Sequence, residues 1–105
     1  MKTILLAALA LAAPAFAQVS PQAAPAARAA NQQQRIEAGV AQGDLTHKET
    51  RKLIKQQHRV EAREQIMRDR HGGYLTRKDQ RKLHKQQNHL SKNIHHARTD
   101  DDVRH

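Results

Sequence analysis

Between residues 53 and 67 the chain places Leu53, Gln57, Val60, Glu64 and Met67 at alternating four- and three-residue steps, with Ile54 and Ile66 beside them. Leu83, Gln87, Leu90, Ile94 and Ala97 repeat that spacing further on. Three-four spacing is the period of a helix face, and it predicts helices over about 28–41, 47–70 and 77–97, with ends good to about two to four residues. The stripes are thin. Gln and Glu take seam positions, and Val, Ile, Leu, Met and Tyr together number 13 between Asn31 and Arg98. The expected fold is therefore all-α with a thin core, a marginal monomer that gains stability from self-association or from a partner.

The two stripes belong to an internal repeat. GDLTHKETRKLIKQQHRV (43–60) and GYLTRKDQRKLHKQQNHL (73–90) lie thirty residues apart and agree at ten of eighteen positions; Ile36 and Ile66 also correspond. The fold predicted is two helix-turn-helix repeats, 31–60 and 61–90 plus the helix end, forming about three helices. Glycines cluster at Gly39 with Gly43 and at Gly72 with Gly73, which predicts the turns, with Gly43 and Gly73 at corresponding places. Each turn runs into a helix-start signal, Thr46 with Glu49 and Thr76 with Asp79. In each pair the hydroxyl can accept an orphan backbone N–H and the acid three residues on can reach back. Leu45 and Leu75 precede the caps and can staple onto the first turn.

Outside 31–98 the pattern changes. Lys2, the apolar run Ile4–Ala13 and the small-x-small triplet Ala15-Phe16-Ala17 form a signal peptide over 1–17. The run is too short for a membrane span, which needs about 20 residues. Cleavage near Ala17 would send the mature chain to the periplasm or the exterior. Residues 18–30 carry two prolines and six alanines and are expected to be a flexible spacer; 99–105 is expected to be a disordered tail.

Charge adds the sign of the partner. The 105 residues carry 19 Lys and Arg against 10 Asp and Glu, a formal +9, and no Cys. Disulfides, thiol chemistry and Cys-based metal or haem sites are excluded. Lys48, Lys52, Lys55, Arg59 and Arg63 form one helical row, and Arg77, Arg81, Lys85 and Lys92 another. These are the candidate anion-binding residues, for an anionic surface such as lipopolysaccharide or for an acidic protein. Nucleic acid fits poorly, because there are no aromatic rows to stack bases.

Two resemblances follow from the turns. The spacing Gly43, Leu45, Glu49, and again Gly73, Leu75, Asp79, is similar to the second half of an EF-hand loop. The ligand half is missing, since its places hold Ala38, Val40 and Gln42 in one loop and Arg68, Arg70 and Gly72 in the other. This implies an EF-hand-like turn used as a fold element, without calcium. The tandem R-I-x-x-G-x-x-x-G-x-L-T-x-x-E pattern, Arg35 to Glu49, resembles small secreted proteins of Gram-negative bacteria without an assigned function. The motifs Leu45-Thr46-His47-Lys48-Glu49 and Leu75-Thr76-Arg77-Lys78-Asp79 are more distantly similar to the L-T-x-x-Q motifs of the Spy/CpxP periplasmic chaperones, with an acid in place of the final Gln. That resemblance implies a holdase or stress adaptor.

Eight histidines raise a third possibility, a divalent-metal binder, with His89 and His96 as the candidate pair; no two histidines stand at i, i+4. Catalysis finds little material: Ser20 and Ser91 are the only serines, and no Gly-rich phosphate loop occurs. No cofactor is expected. The sequence thus points to a non-enzymatic, basic, helical interaction protein of the periplasm or exterior.

Overall fold

The computed structural model describes residues 20–100; the predicted leader and residues 101–105 of the predicted tail lie outside the described residues. Among the described residues three helices follow one another, α1 (Ala24–Ala41), α2 (His47–Arg70) and α3 (Arg77–Thr99). No strand occurs among the described residues, so the fold is all-α as expected. No helix among them is long and apolar enough to cross a membrane.

Helices α2 and α3 begin at the residues the capping signals predict. Thr46 Oγ1 accepts from the Glu49 N–H at 3.1 Å, and Glu49 Oε1 accepts from the Thr46 N–H at 2.8 Å. Thr76 and Asp79 repeat both bonds at 3.1 Å. Each box satisfies two of the donors that a helix start would otherwise leave open.

The first helix corrects the sequence reading. It starts at Ala24, so residues 24–30 are helical and packed, not a flexible spacer. Ser20 nucleates this start: its carbonyl accepts from the Ala23 and Ala24 N–H groups at 3.0 and 2.9 Å, and its Oγ accepts from Ala23 N–H at 3.2 Å. Pro25 falls in the first turn, where a missing N–H costs nothing, and alanines carry the helix on. Gly39 lies inside α1, within the span predicted for the first helix, so of the Gly39 and Gly43 cluster only Gly43 makes a turn; among the described residues Gly43, Gly72 and Gly73 adopt positive φ. Gly43 N–H reaches Val40 O and Asp44 N–H reaches Gly39 O, a Schellman closure; Gly73 N–H to Arg68 O makes the corresponding bond after α2.

Helix α3 lies between the other two. α1 runs beside it in the same direction, since Gln22 meets Leu75 near its start and Arg35 meets Ser91 near its end. α2 runs opposite to both. The core divides into two clusters. One holds Ile36, Leu45, Leu53, Leu90 and Ile94, with Ala97 against it; the other holds Val60, Met67, Leu75 and Leu83. Adding thirty carries Leu45, Leu53 and Val60 to Leu75, Leu83 and Leu90, and in each case moves the residue into the other cluster. The α2–α3 pair is thus related to itself by an approximate two-fold exchange.

The seam glutamines make specific bonds. Gln57 Nε2 donates to Ala29 O at 3.1 Å, and its counterpart Gln87 donates to Pro25 O at 2.8 Å, one turn earlier on α1. Gln32 on α1 returns the bond, donating to Gln87 O and to Ser91 Oγ, both at 2.8 Å. Gln22 pairs in both directions with the Leu75 backbone, at 2.8 and 2.7 Å. Buried amides bonded in this way hold α1 on the hairpin without apolar area and leave few polar groups unpaired.

Candidate functional site

Exposed cations on α2 and α3 follow from the same helical period that buries the leucines. Lys52, Lys55, Arg59 and Arg63 fall on the flank of α2 that faces α3, and with Lys85, Gln86 and His89 they line a shallow groove of about 690 Å³. Val60 forms part of its floor. The groove sits across the two-fold exchange: Lys55 and Lys85, Gln56 and Gln86, Arg59 and His89 are all pairs thirty apart. No carboxylate lines it.

A second groove, of about 650 Å³, runs between α1 and α3. Pro21, Ala24 and Pro25 give it an apolar wall, and Arg28, Arg77, Arg81, His84 and Lys85 bring the charge. Arg28 donates to Asn88 Oδ1 and lies 3.3 Å from His84 Nδ1, and no carboxylate lines the groove to compensate its charge. Lys85 lines both grooves and therefore stands on the ridge between them.

The structure thus gathers seven of the nine candidate anion-binding residues into two neighbouring grooves. Lys48 and Lys92 are exposed but line neither; Lys48 shares the helix face of Lys55 and Lys92 that of Lys85, each seven residues away along its helix, beyond the groove lining. Among the described residues, Lys52, Lys55, Arg59, Arg63, Arg77, Arg81 and Lys85 make no ion pair. The ion pairs lie elsewhere: Arg68 with Glu64 at 2.9 Å, and Arg98 with Asp44 at 3.2 Å. These two arginines are also thirty apart, and each braces a turn; Arg68 donates to Gly73 O and Gln22 O, Arg98 to Gln42 Oε1 and Arg35 O.

Two polar groups call for comment. Gln56 Oε1 accepts from Asn93 Nδ2 at 2.8 Å, but Oε1 of its counterpart Gln86 is buried with no hydrogen-bond partner. The position corresponding to Asn93 is Arg63, so the exchange fails at this arm of the groove. The carboxyl of Asp79 has a displaced pKa. Burial pushes it up, but the Thr76 N–H and hydroxyl and the charges of His71 and Lys82 outweigh that and hold it below the ordinary carboxylate value. His71 Nδ1 lies 3.1 Å from Asp79 and 3.0 Å from Met67 O, and can donate to both.

His89 lines the α2–α3 groove, while His96 lines a smaller depression with Glu49 and Asn93, so the two imidazoles serve different surfaces. No three His, Asp or Glu residues converge in a metal-holding group among the described residues. Sequence reasoning missed His84, and it missed Arg28 as a site residue because Arg28 stood where the supposed spacer met the predicted start of the first helix. No protein family, curated protein or solved structure matches the chain.

Proposed function

We propose that this chain is a non-catalytic binding protein that, after export, holds a polyanionic envelope component in the α2–α3 groove. The observation that carries the reading is the convergence of five Lys and Arg side chains from two helices on one furrow with no carboxylate in its lining. Such a furrow concentrates positive potential toward an extended anion. A phosphorylated or sulfated saccharide is an anion of that extended kind.

Heparin, a sulfated saccharide, is the probe. Lys55→Gln/Lys85→Gln is compared with Lys48→Gln/Lys92→Gln, which removes the same charge outside the groove. The first double variant is expected to lose roughly tenfold in affinity at about 0.1 M salt, and the second only a small factor. Equal losses would reduce the effect to net charge and end the reading. Tighter binding to polyglutamate than to heparin would replace the saccharide with an acidic protein.

A second reading has its own support. Val40, Ile54, Ile66 and Tyr74 are large apolar side chains left exposed, and exposed apolar groups on a cationic surface are what a chaperone-like holdase of the Spy/CpxP kind would present to unfolded chains. Suppression of aggregation of a reduced, denatured test protein, lost in Ile54→Ser/Ile66→Ser, would favour it.

A further inference from the structure

The groove between α1 and α3 differs in kind from its neighbour. On the α1 side its lining is apolar at Pro21, Ala24 and Pro25, with Arg28 one turn further along, while Arg77, Arg81 and Lys85 stand along the α3 side at successive turns. Eight residues of helix place those three charges along about 12 Å. The polar groups near the floor are already bonded: Gln87 donates to Pro25 O at 2.8 Å and Gln80 to Leu75 O at 3.2 Å. What remains for a ligand is an apolar strip beside a row of cations, with no carboxylate to compete. The strip is also pre-formed, because the two-way bonds between Gln22 and Leu75 fix the segment that leads into it.

We infer that this groove is a separate site for an anionic amphiphile, a single phosphate or carboxylate head carrying an acyl chain. The head meets Arg77, Arg81 and Lys85, and the first methylenes of the chain lie along Pro21, Ala24 and Pro25. The site deepens the function proposed above and rests on it, since a saccharide-binding furrow and an acyl-binding strip on adjoining faces together suit the headgroup and the chain of one envelope lipid. Lys85 on the shared ridge would serve both.

The test uses the full chain and two soluble probes that share a head group, dodecyl phosphate below its micelle concentration and butyl phosphate. Titration calorimetry is expected to give at least tenfold tighter binding for the longer probe. Ala24→Glu places a carboxylate on the strip at the first residue of α1, where an acid suits the helix end and the fold is preserved. It is expected to cost dodecyl phosphate at least fivefold while leaving heparin affinity within about twofold of the parent. Arg81→Gln is expected to weaken both phosphates alike. Equal binding of the two phosphates by the parent chain, or undiminished binding of dodecyl phosphate by Ala24→Glu, would overturn the inference. Loss of the heparin contrast between the two Lys double variants would instead refute the α2–α3 reading, so the two failures are distinguishable.

Discussion

The two ends of the α2–α3 pair are assembled from corresponding residues and closed in different ways. At one end Ile36 of α1 completes an apolar cluster with Leu45, Leu53, Leu90 and Ile94. At the other, the four-residue cluster around Leu75 and Leu83 is covered by a polar clasp, in which Gln22 binds the Leu75 backbone and Arg68 binds Gln22 O at 2.7 Å. The residue that matches Ile36 is Ile66, yet Ile36 is 3% exposed and Ile66 50%. Helix phase explains the contrast. From Leu53, a step of thirteen residues turns the helix by about 220°, which puts Ile66 on the far side, whereas fourteen residues bring Met67 back to within about 40° of the seam. Ile36 follows the phase of α1 itself, whose buried positions are Pro25, Gln32, Ile36 and Gly39. Equal sequence therefore gives equal environment only where the preceding helix sets the same phase.

The largest expected effect tests the apolar cores. Leu83→Ala removes a fully buried side chain from the smaller cluster and should cost about 3–5 kcal/mol. Its counterpart Leu53→Ala should cost less, about 2–3 kcal/mol, as Leu53 is less completely enclosed. Urea melts followed by circular dichroism measure both, and the reverse order would break the comparison. Next come the seam amides. Gln87→Ala strips a buried donor from Pro25 O and should cost about 2–3 kcal/mol, against about 1 kcal/mol for Gln57→Ala, whose bond to Ala29 O is only partly buried.

Gly39 sharpens the difference at the turns. A Cβ there would stand 2.7 Å from Leu45 Cδ1 and 2.8 Å from Leu45 Cγ. Gly39→Ala should cost about 1–2 kcal/mol despite the better helix propensity of alanine, while Asp69→Ala, at the corresponding exposed position, should stay within about 0.5 kcal/mol of the parent. The smallest expected effect is a pH dependence. Because the folded-state pKa of Asp79 lies below its ordinary value of 3.8, its contribution to stability is complete above that value and is lost as pH falls through the lower folded-state one. Thermal melts between about pH 5 and 2 should show a shallower acid limb in Asp79→Asn than in the parent.

Much of this was legible in the chain. The starts of α2 and α3 were written in Thr46-x-x-Glu49 and Thr76-x-x-Asp79, because a capping box is a local device whose geometry needs only four residues. The cationic rows were legible for the same reason, as helix period alone decides which flank they share. What escaped was non-local. Nothing near Gln57 or Gln87 announces a bond to α1 carbonyls 28 and 62 residues away, so the seam glutamines read as defects in a thin core. The Ala- and Pro-rich stretch hid the start of α1 and, with it, the second groove.

The exchange of clusters across a thirty-residue offset has a consequence for folding. Neither segment encloses its own leucines: Leu53 depends on Leu90 and Ile94, and Leu83 depends on Val60 and Met67. Opening the hairpin at Gly72-Gly73 would therefore expose both clusters at once. Amide protons along α2 and α3 should exchange with solvent through a single concerted opening, with no residual half that persists alone.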